Sequence, residues 1–266
     1  MKAILFLLIV GLLMVGCGNE QNAEDSNDTD YNAFVNTLGM RFVAMPGTKV
    51  QFCIWETRVK DYAAYAAANE GVDDSWKNFG WGGFTQTETH PVVNVDWNAA
   101  NDFCAWLTKK ELADRKIKKG EKYRLPTDGE WSMAVGLGKE KGNTPKEKDN
   151  WFGDKYPWGT KWPPPKGVVN LYQSLNIDNF KHTSPVGSFP PNKYFIFDLG
   201  GNVSEWCQDV YDPNARVLFN LPRPRVNRGG NHFMGNSQLF KSATRLWISP
   251  GYRAHSLGFR CVLASE

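Results

Sequence analysis

Val50, Phe52 and Ile54 alternate with Gln51 and Cys53, the period of a strand with one buried face. Val59, Tyr62, Ala63 and Ala66 then recur at helical spacing. This pattern predicts a helix opening at Glu56-Thr57 and ending between Asn69 and Gly71. His90 to Val95 reads as extended. Asp96 is placed to cap a second helix carrying Ala100, Phe103, Cys104 and Leu107 on one face, with Thr108 to Glu111 as its polar, solvent-facing end. Thr127 and Glu130 have capping-box spacing and predict a third helix with Trp131 and Val135 turned inward. Two long stretches between these elements have no period. Residues 72–89 set Trp76, Phe79, Trp81 and Phe84 among glycines, and these rings are expected to pack the loop onto the body. Residues 138–168 are rich in Gly, Lys and Pro around Tyr156-Pro157-Trp158-Gly159 and need packing or ligands of their own.

Composition adds a setting. The length of 266 residues suits one large domain or two small ones, and no internal repeat is evident. The net charge of +3 is small and the cations are scattered apart from the Lys109–Lys122 run, which reads as a solvated helix end. No nucleic-acid partner is expected. At the start, Met1-Lys2 is followed by an apolar run from Ala3 to Val15 that is too short to span a bilayer, so residues 1–16 read as a signal peptide. Gly16-Cys17 resembles a bacterial lipoprotein box, which implies lipidation of Cys17. Residues 17–35 then form a polar tether, and residues 36–266 a single body. The expectation is a monomer held by lipid on a bacterial surface, in the outer membrane. Cys53, Cys104, Cys207 and Cys261 remain. They allow three disulfide pairings, and none has the CxxC spacing of a zinc site.

The segment from Arg225 to Val262 interleaves two kinds of position. Arg228-Gly229-Gly230, Ala243, Arg245 and Gly258-Phe259-Arg260-Cys261 read as a frame. Asn231, His232, Leu239, Phe240, Leu246, Trp247, Ile248, Tyr252, His255 and Ser256 share no pattern and read as an exposed filler set. The glycines suit close backbone approach or unusual φ. The three arginines need partners if buried, and Asp198, Glu205 and Asp209 are candidates. Trp and Tyr often anchor protein interfaces, so the filler set is the candidate binding surface. If Leu246 to Ile248 is a strand, alternation buries either its two ends or Trp247 alone.

Six motifs occur in order: HPVVNVDWNAANDFCAW (90–106), YRLPTDGEW (123–131), YPWG (156–159), PVGSFPPNKYFIFDLGGNVSEW (185–206), RGG (228–230) and GFR (258–260). Together they resemble the formylglycine-generating-enzyme, or sulfatase-modifying-factor, family. The resemblance covers roughly residues 36–266. It implies an α/β domain of α+β type with a C-type-lectin-like core and little regular secondary structure. The enzymes of the family carry two cysteines shortly after RGG that bind copper and do redox chemistry. Here Asn231 to Lys241 contains no Cys, which removes the soft ligand and the nucleophile. The four His form no HxxxH pair for an iron site, although His232 and His255 could meet in space. The frame-and-filler pattern resembles instead the retroelement-diversified variable lipoproteins of Treponema, whose C-terminal segment is randomised at adenine-containing codons on this same fold. That branch implies capture of a protein or other macromolecular ligand without catalysis. The alternative is a copper- or iron-dependent oxidase.

The family resemblance implies two further features. One is structural Ca²⁺ on hard oxygen ligands. Asn170, the Leu171 carbonyl, Asp178 and the Phe180 carbonyl match one site. Asp198, the Gly201 and Val203 carbonyls and Glu205 match another. The competing reading of the second set is that Asp198 and Glu205 simply pair with arginines. The other implied feature is a Cys104–Cys261 disulfide, with Cys53 and Cys207 free and buried.

Overall fold

The computed structural model describes residues 33–265 except Phe79, 81–82, 151–152 and 217–220. The expectations for the signal peptide, for Cys17, for most of the tether and for Phe79 and Trp81 lie outside the described residues.

Two sheets carry the body. The first is built from β1 (Phe34–Val35), β2 (Arg41–Ala44), β3 (Val50–Cys53), β4 (Glu121–Arg124) and β9 (Val262–Ser265), in the order β1-β2-β3-β9-β4, every pair antiparallel. The second is β7-β6-β5-β8, from β5 (Ser204–Val210), β6 (Arg225–Arg228), β7 (Leu246–Ile248) and β8 (Leu257–Gly258). The helices are α1 (Val59–Ala68), α2 (Trp97–Ala113), α3 (Asp128–Ala134) and the single turn α4 (Pro145–Lys148). Among the described residues, no helix is long and apolar enough to cross a membrane. The tether is shorter than the composition suggested, because Phe34 and Val35 already pair with Phe42 and Arg41.

The first sheet is buried on both faces, which corrects the one-sided reading of β3. Phe42, Cys53, Tyr123 and Leu263 pack with Tyr62, Phe103 and Leu107 of α1 and α2. Val43, Phe52, Val262 and Ala264 face the opposite way, toward Trp131 of α3 and toward Cys207 and Val226 of the second sheet. Cys53 and Phe52 are therefore both fully buried, one in each core.

The helices follow their local chemistry. The Asp96 side chain accepts the Ala99 N–H at 2.8 Å and starts α2, and Thr127 with Glu130 closes the expected capping box on α3. The first helix starts two residues later than expected, at Val59. Arg58 and Asp61 form its capping contacts, and both are buried. The polar end assigned to α2 is also corrected. Glu111 is fully buried and its Oε1 accepts from the Thr37 N–H at 3.1 Å and from the Thr37 hydroxyl. Val135 is the half-buried C-cap of α3 rather than a core residue. In the 72–89 loop, Trp76 is buried against Tyr62, with ring centroids 5.5 Å apart, and Phe84 packs on Val93 and Val203. A third apolar cluster gathers Tyr156, Leu171, Ile177 and Phe240 with Trp158 and Trp162 under the long loops.

Candidate functional site

The 225–262 segment divides between frame and face. Three of its five arginines, Arg228, Arg245 and Arg260, are the frame, and all three are fully buried. Arg260 grips Glu205 with two hydrogen bonds, 2.7 Å from Nε and 2.5 Å from Nη2. The other two arginines share Asp128, the first residue of α3, which the sequence reading did not single out. Arg228 donates to its Oδ1 and Arg245 reaches it from Nε at 3.0 Å. Arg245 also takes Glu140 at 2.7 Å, and both arginines donate to the Ser132 hydroxyl. Burial opposes ionisation of Asp128, but Arg228 and Arg245 outweigh it and hold the carboxyl below its ordinary value. Neither Asp198 nor Asp209 takes an arginine. Each accepts a backbone N–H at 2.7 Å, from Gly187 and from Asp128 respectively.

Two glycines of the frame are required by contact. At Gly230, with φ +68°, a Cβ would stand 2.6 Å from the Phe240 ring. At Gly258 a Cβ would stand 2.5 Å from the Val92 carbonyl oxygen.

The filler set splits in two. Asn231, His232 and Phe240 are buried, which overturns the expectation that they are exposed. Asn231 turns inward to donate to the Ser204 hydroxyl at 3.0 Å. His232 Nδ1 lies 2.8 Å from the Asn202 carbonyl oxygen, and burial, reinforced by His255 and His182, pushes its pKa down to about 4. Phe240 stacks on Trp162 at 5.7 Å in the third cluster. Leu239, His255 and Ser256 are half-buried. His232 and His255 do meet, with ring centroids 5.7 Å apart, and His182 lies 6.3 Å from His232. Still, no group of three or more His, Cys, Asp or Glu among the described residues could hold a metal ion.

What remains is a compact face. In β7 alternation turns Leu246 and Ile248 inward to half-burial and Trp247 outward at 54% exposure. Tyr252 is 47% exposed. Between them opens a cavity of 210 Å³ with Ser204, Asn227, Asn231 and Ser256 supplying polar groups. The loop bearing Tyr252 is pinned by Arg253, another residue the sequence reading missed. Arg253 bonds Asp96 at 2.9 Å and Asp73 at 2.7 Å, while the Trp97 N–H donates to the Pro250 carbonyl. Asp96 therefore caps α2 and anchors this loop together.

The thiols carry no exposed chemistry. Cys53, Cys104, Cys207 and Cys261 are all free and buried. The expected pair is adjacent but unbridged. Cys104 Sγ stands 3.5 Å from Cys261 Sγ, as a hydrogen-bonded thiol pair on the α2 core face. Burial pushes Cys53 up to about 12 and raises Cys207 and Cys261 as well.

The oxygen sets expected to hold calcium differ from each other. At the first, Asp178 accepts the Leu171 and Phe180 N–H groups at 3.0 and 2.8 Å, and the buried Asn170 Oδ1 has no hydrogen-bond partner among the described residues. At the second, both Glu205 oxygens are held by Arg260, and Trp131 Nε1 adds a bond at 3.1 Å. Burial pushes Asp198 up to about 6.

The sulfatase-modifying factor enzyme 1-like domain matches residues 23–265. The chain belongs to that family. It is 29% identical to the formylglycine-generating enzyme of Thermomonospora curvata over 91% of this chain and 78% of the relative. It is 32% identical to the mouse formylglycine-generating enzyme over 65% of this chain but only 44% of the relative, so it spans less than half of the mouse protein. It is also 32% identical to the mouse inactive C-alpha-formylglycine-generating enzyme 2, over 64% of this chain and 48% of that protein. Among solved structures, PvdO from Pseudomonas aeruginosa superposes with a TM-score of 0.58 at 22% identity, over 81% of this chain and 80% of that one. Treponema denticola variable protein 1 superposes at 0.54, also at 22% identity, over 81% and 84%. At those identities the likeness is one of fold, and it bears out the expected architecture.

Proposed function

We propose that this domain captures a macromolecular ligand, a protein, on the face around Trp247 and Tyr252, without turnover. The observation that carries the reading is the contrast within one segment. Two large aromatics stand half-exposed on either side of a cavity, in a segment whose frame arginines Arg228, Arg245 and Arg260 are wholly buried. The cysteine-free run after Gly230 and the burial of all four described thiols support binding over thiol-dependent oxidation. The fold shared with a variable protein supports reading the exposed positions as changeable. In this reading the lipid on Cys17 holds the domain at a bacterial surface.

Replacing Trp247 and Tyr252 together with Ala tests the proposal. Ligand capture from the native surroundings should disappear while the thermal transition stays. A double variant that unfolds, or that captures as before, refutes it. The family enzymes among the relatives keep one alternative in view, a copper- or iron-dependent oxidase. Metal-dependent oxidation of a thiol peptide by the purified protein would establish it.

Calcium belongs to the same reading as a structural clip. Asn170, with its unpartnered oxygen, and Asp178 suit a hard cation, whereas Glu205 is committed to Arg260. The first set would therefore be the holder, and a loop-rich fold would gain stability from it. Equal melting temperatures in calcium and in chelator would remove this part of the proposal.

A further inference from the structure

We infer that the groove on the outer side of Trp247 docks an extended acidic peptide segment carrying an apolar side chain. This rests on the capture reading above and specifies the ligand's chemistry. The groove encloses 770 Å³, larger than the cavity on the Tyr252 side, and Trp247 walls both. Its apolar lining comes from Tyr211, Leu221, Pro222, Pro224 and Trp247. Leu221 is 65% exposed, and the Tyr211 and Trp247 rings stack with centroids 5.6 Å apart and planes at 26°. Such a surface accepts an aromatic or branched side chain.

The rim sets the charge. Lys146, Arg216 and Arg223 line the groove, and Asp212 is its one acidic lining residue. Lys146 already pairs with Asp212 at 2.8 Å. Arg223 donates to the Pro213 carbonyl oxygen, a neutral acceptor, and Arg216 is exposed. Asp149 lies near Tyr211 but is engaged by the Tyr211 hydroxyl and the Arg245 N–H, and it does not line the groove. The rim therefore offers two guanidiniums to carboxylates.

The shape favours a chain. Trp247 belongs to β7, an edge strand of its sheet, and an extended segment laid beside an edge strand can pair with its backbone while placing a side chain in the adjoining groove. Lys146, Arg216 and Arg223 all lie outside residues 225–262, whereas Trp247 lies inside. Changes within the segment would remodel the anchor pocket and leave the preference for acidic partners in place.

Fluorescence anisotropy on the full-length protein tests this with three probes. One is an end-capped labelled peptide alternating Glu with Leu and Phe. The second is the same peptide with Lys for Glu, and the third is phosphatidylglycerol vesicles. The acidic peptide should bind at least tenfold tighter than the basic one and weaken with salt. Arg216→Glu with Arg223→Glu should cost tenfold or more and turn the preference toward the basic peptide. Lys118→Glu with Lys119→Glu, an equal charge change on exposed lysines beyond α2, should change nothing. Equal binding of both peptides, indifference to the groove reversal, or binding of vesicles alone overturns the inference. If these peptide outcomes fail while Trp247→Ala with Tyr252→Ala still abolishes native capture, the groove assignment falls and the capture reading stands. If that double variant also captures normally, both fall.

Discussion

Arg245 and Trp247 are two residues apart and live in opposite worlds. Arg245 is fully buried, bonded to Asp128, Glu140, Ser132 and two backbone carbonyls. Trp247 is half in solvent, with its ring stacked on Tyr211. The difference shows how one segment can be both rigid and replaceable. Specificity of fold is placed in charged groups that have one geometric solution, and the exposed aromatic surface is placed at an edge strand with far fewer fixed partners.

The strongest way to break that contrast is at Asp128. Asp128→Asn leaves two buried guanidiniums short of charge and should cost about 3–5 kcal/mol in urea unfolding. A loss below about 1 kcal/mol would mean the arginines are not the frame. Phe240 comes next. Phe240→Ala empties a site under Trp162 and should cost about 3–4 kcal/mol. Tolerance there would return Phe240 to the replaceable set.

His232 gives the third test. Its folded pKa of about 4 lies below the ordinary 6.5, so the fold prefers the neutral ring. The stability this ring contributes is complete above 6.5 and is lost as pH falls toward 4, roughly 3 kcal/mol over that window. His232→Gln should flatten the slope of unfolding free energy between those pH values. Asp128 adds a separate loss at lower pH. Its depressed carboxyl contributes fully above 3.8 and stops contributing as it protonates. The smallest expected effect is on the face itself. Trp247→Ala, which removes the stack on Tyr211, should cost about 1 kcal/mol, and Tyr252→Ala about 0.5 kcal/mol or less in the same assay.

The elements that were legible in the sequence are those whose signal is local. Asp96 with the Ala100-Phe103-Cys104-Leu107 stripe specified α2, and Thr127 with Glu130 specified the start of α3. Glu111 was illegible because its burial depends on Thr37, which is 74 residues away. The site divides the same way. Alternation in Leu246-Trp247-Ile248 left two choices, and it did not announce that Trp247, opposite the buried Val226, sits on an edge strand with half its ring in solvent. Asn231, His232 and Phe240 were misplaced because the chain turns inward after the positive-φ pair Gly229-Gly230, against partners at Ser204, Asn202 and Trp162 that no spacing announces. One signal for Phe240 was present. A glycine at 230 demands something close above it, and that something is the Phe240 ring.

The place of β9 between β3 and β4 carries a consequence for biosynthesis. While the chain emerges from the ribosome, β3 and β4 wait without the strand that joins them, and residues 225–262 must be translated before that strand exists. A frameshift or stop anywhere in residues 225–262 therefore leaves the first sheet open, with Phe52 and Tyr123 uncovered. Such products are substrates for proteolysis, so only chains read through to Ser265 close the sheet and persist.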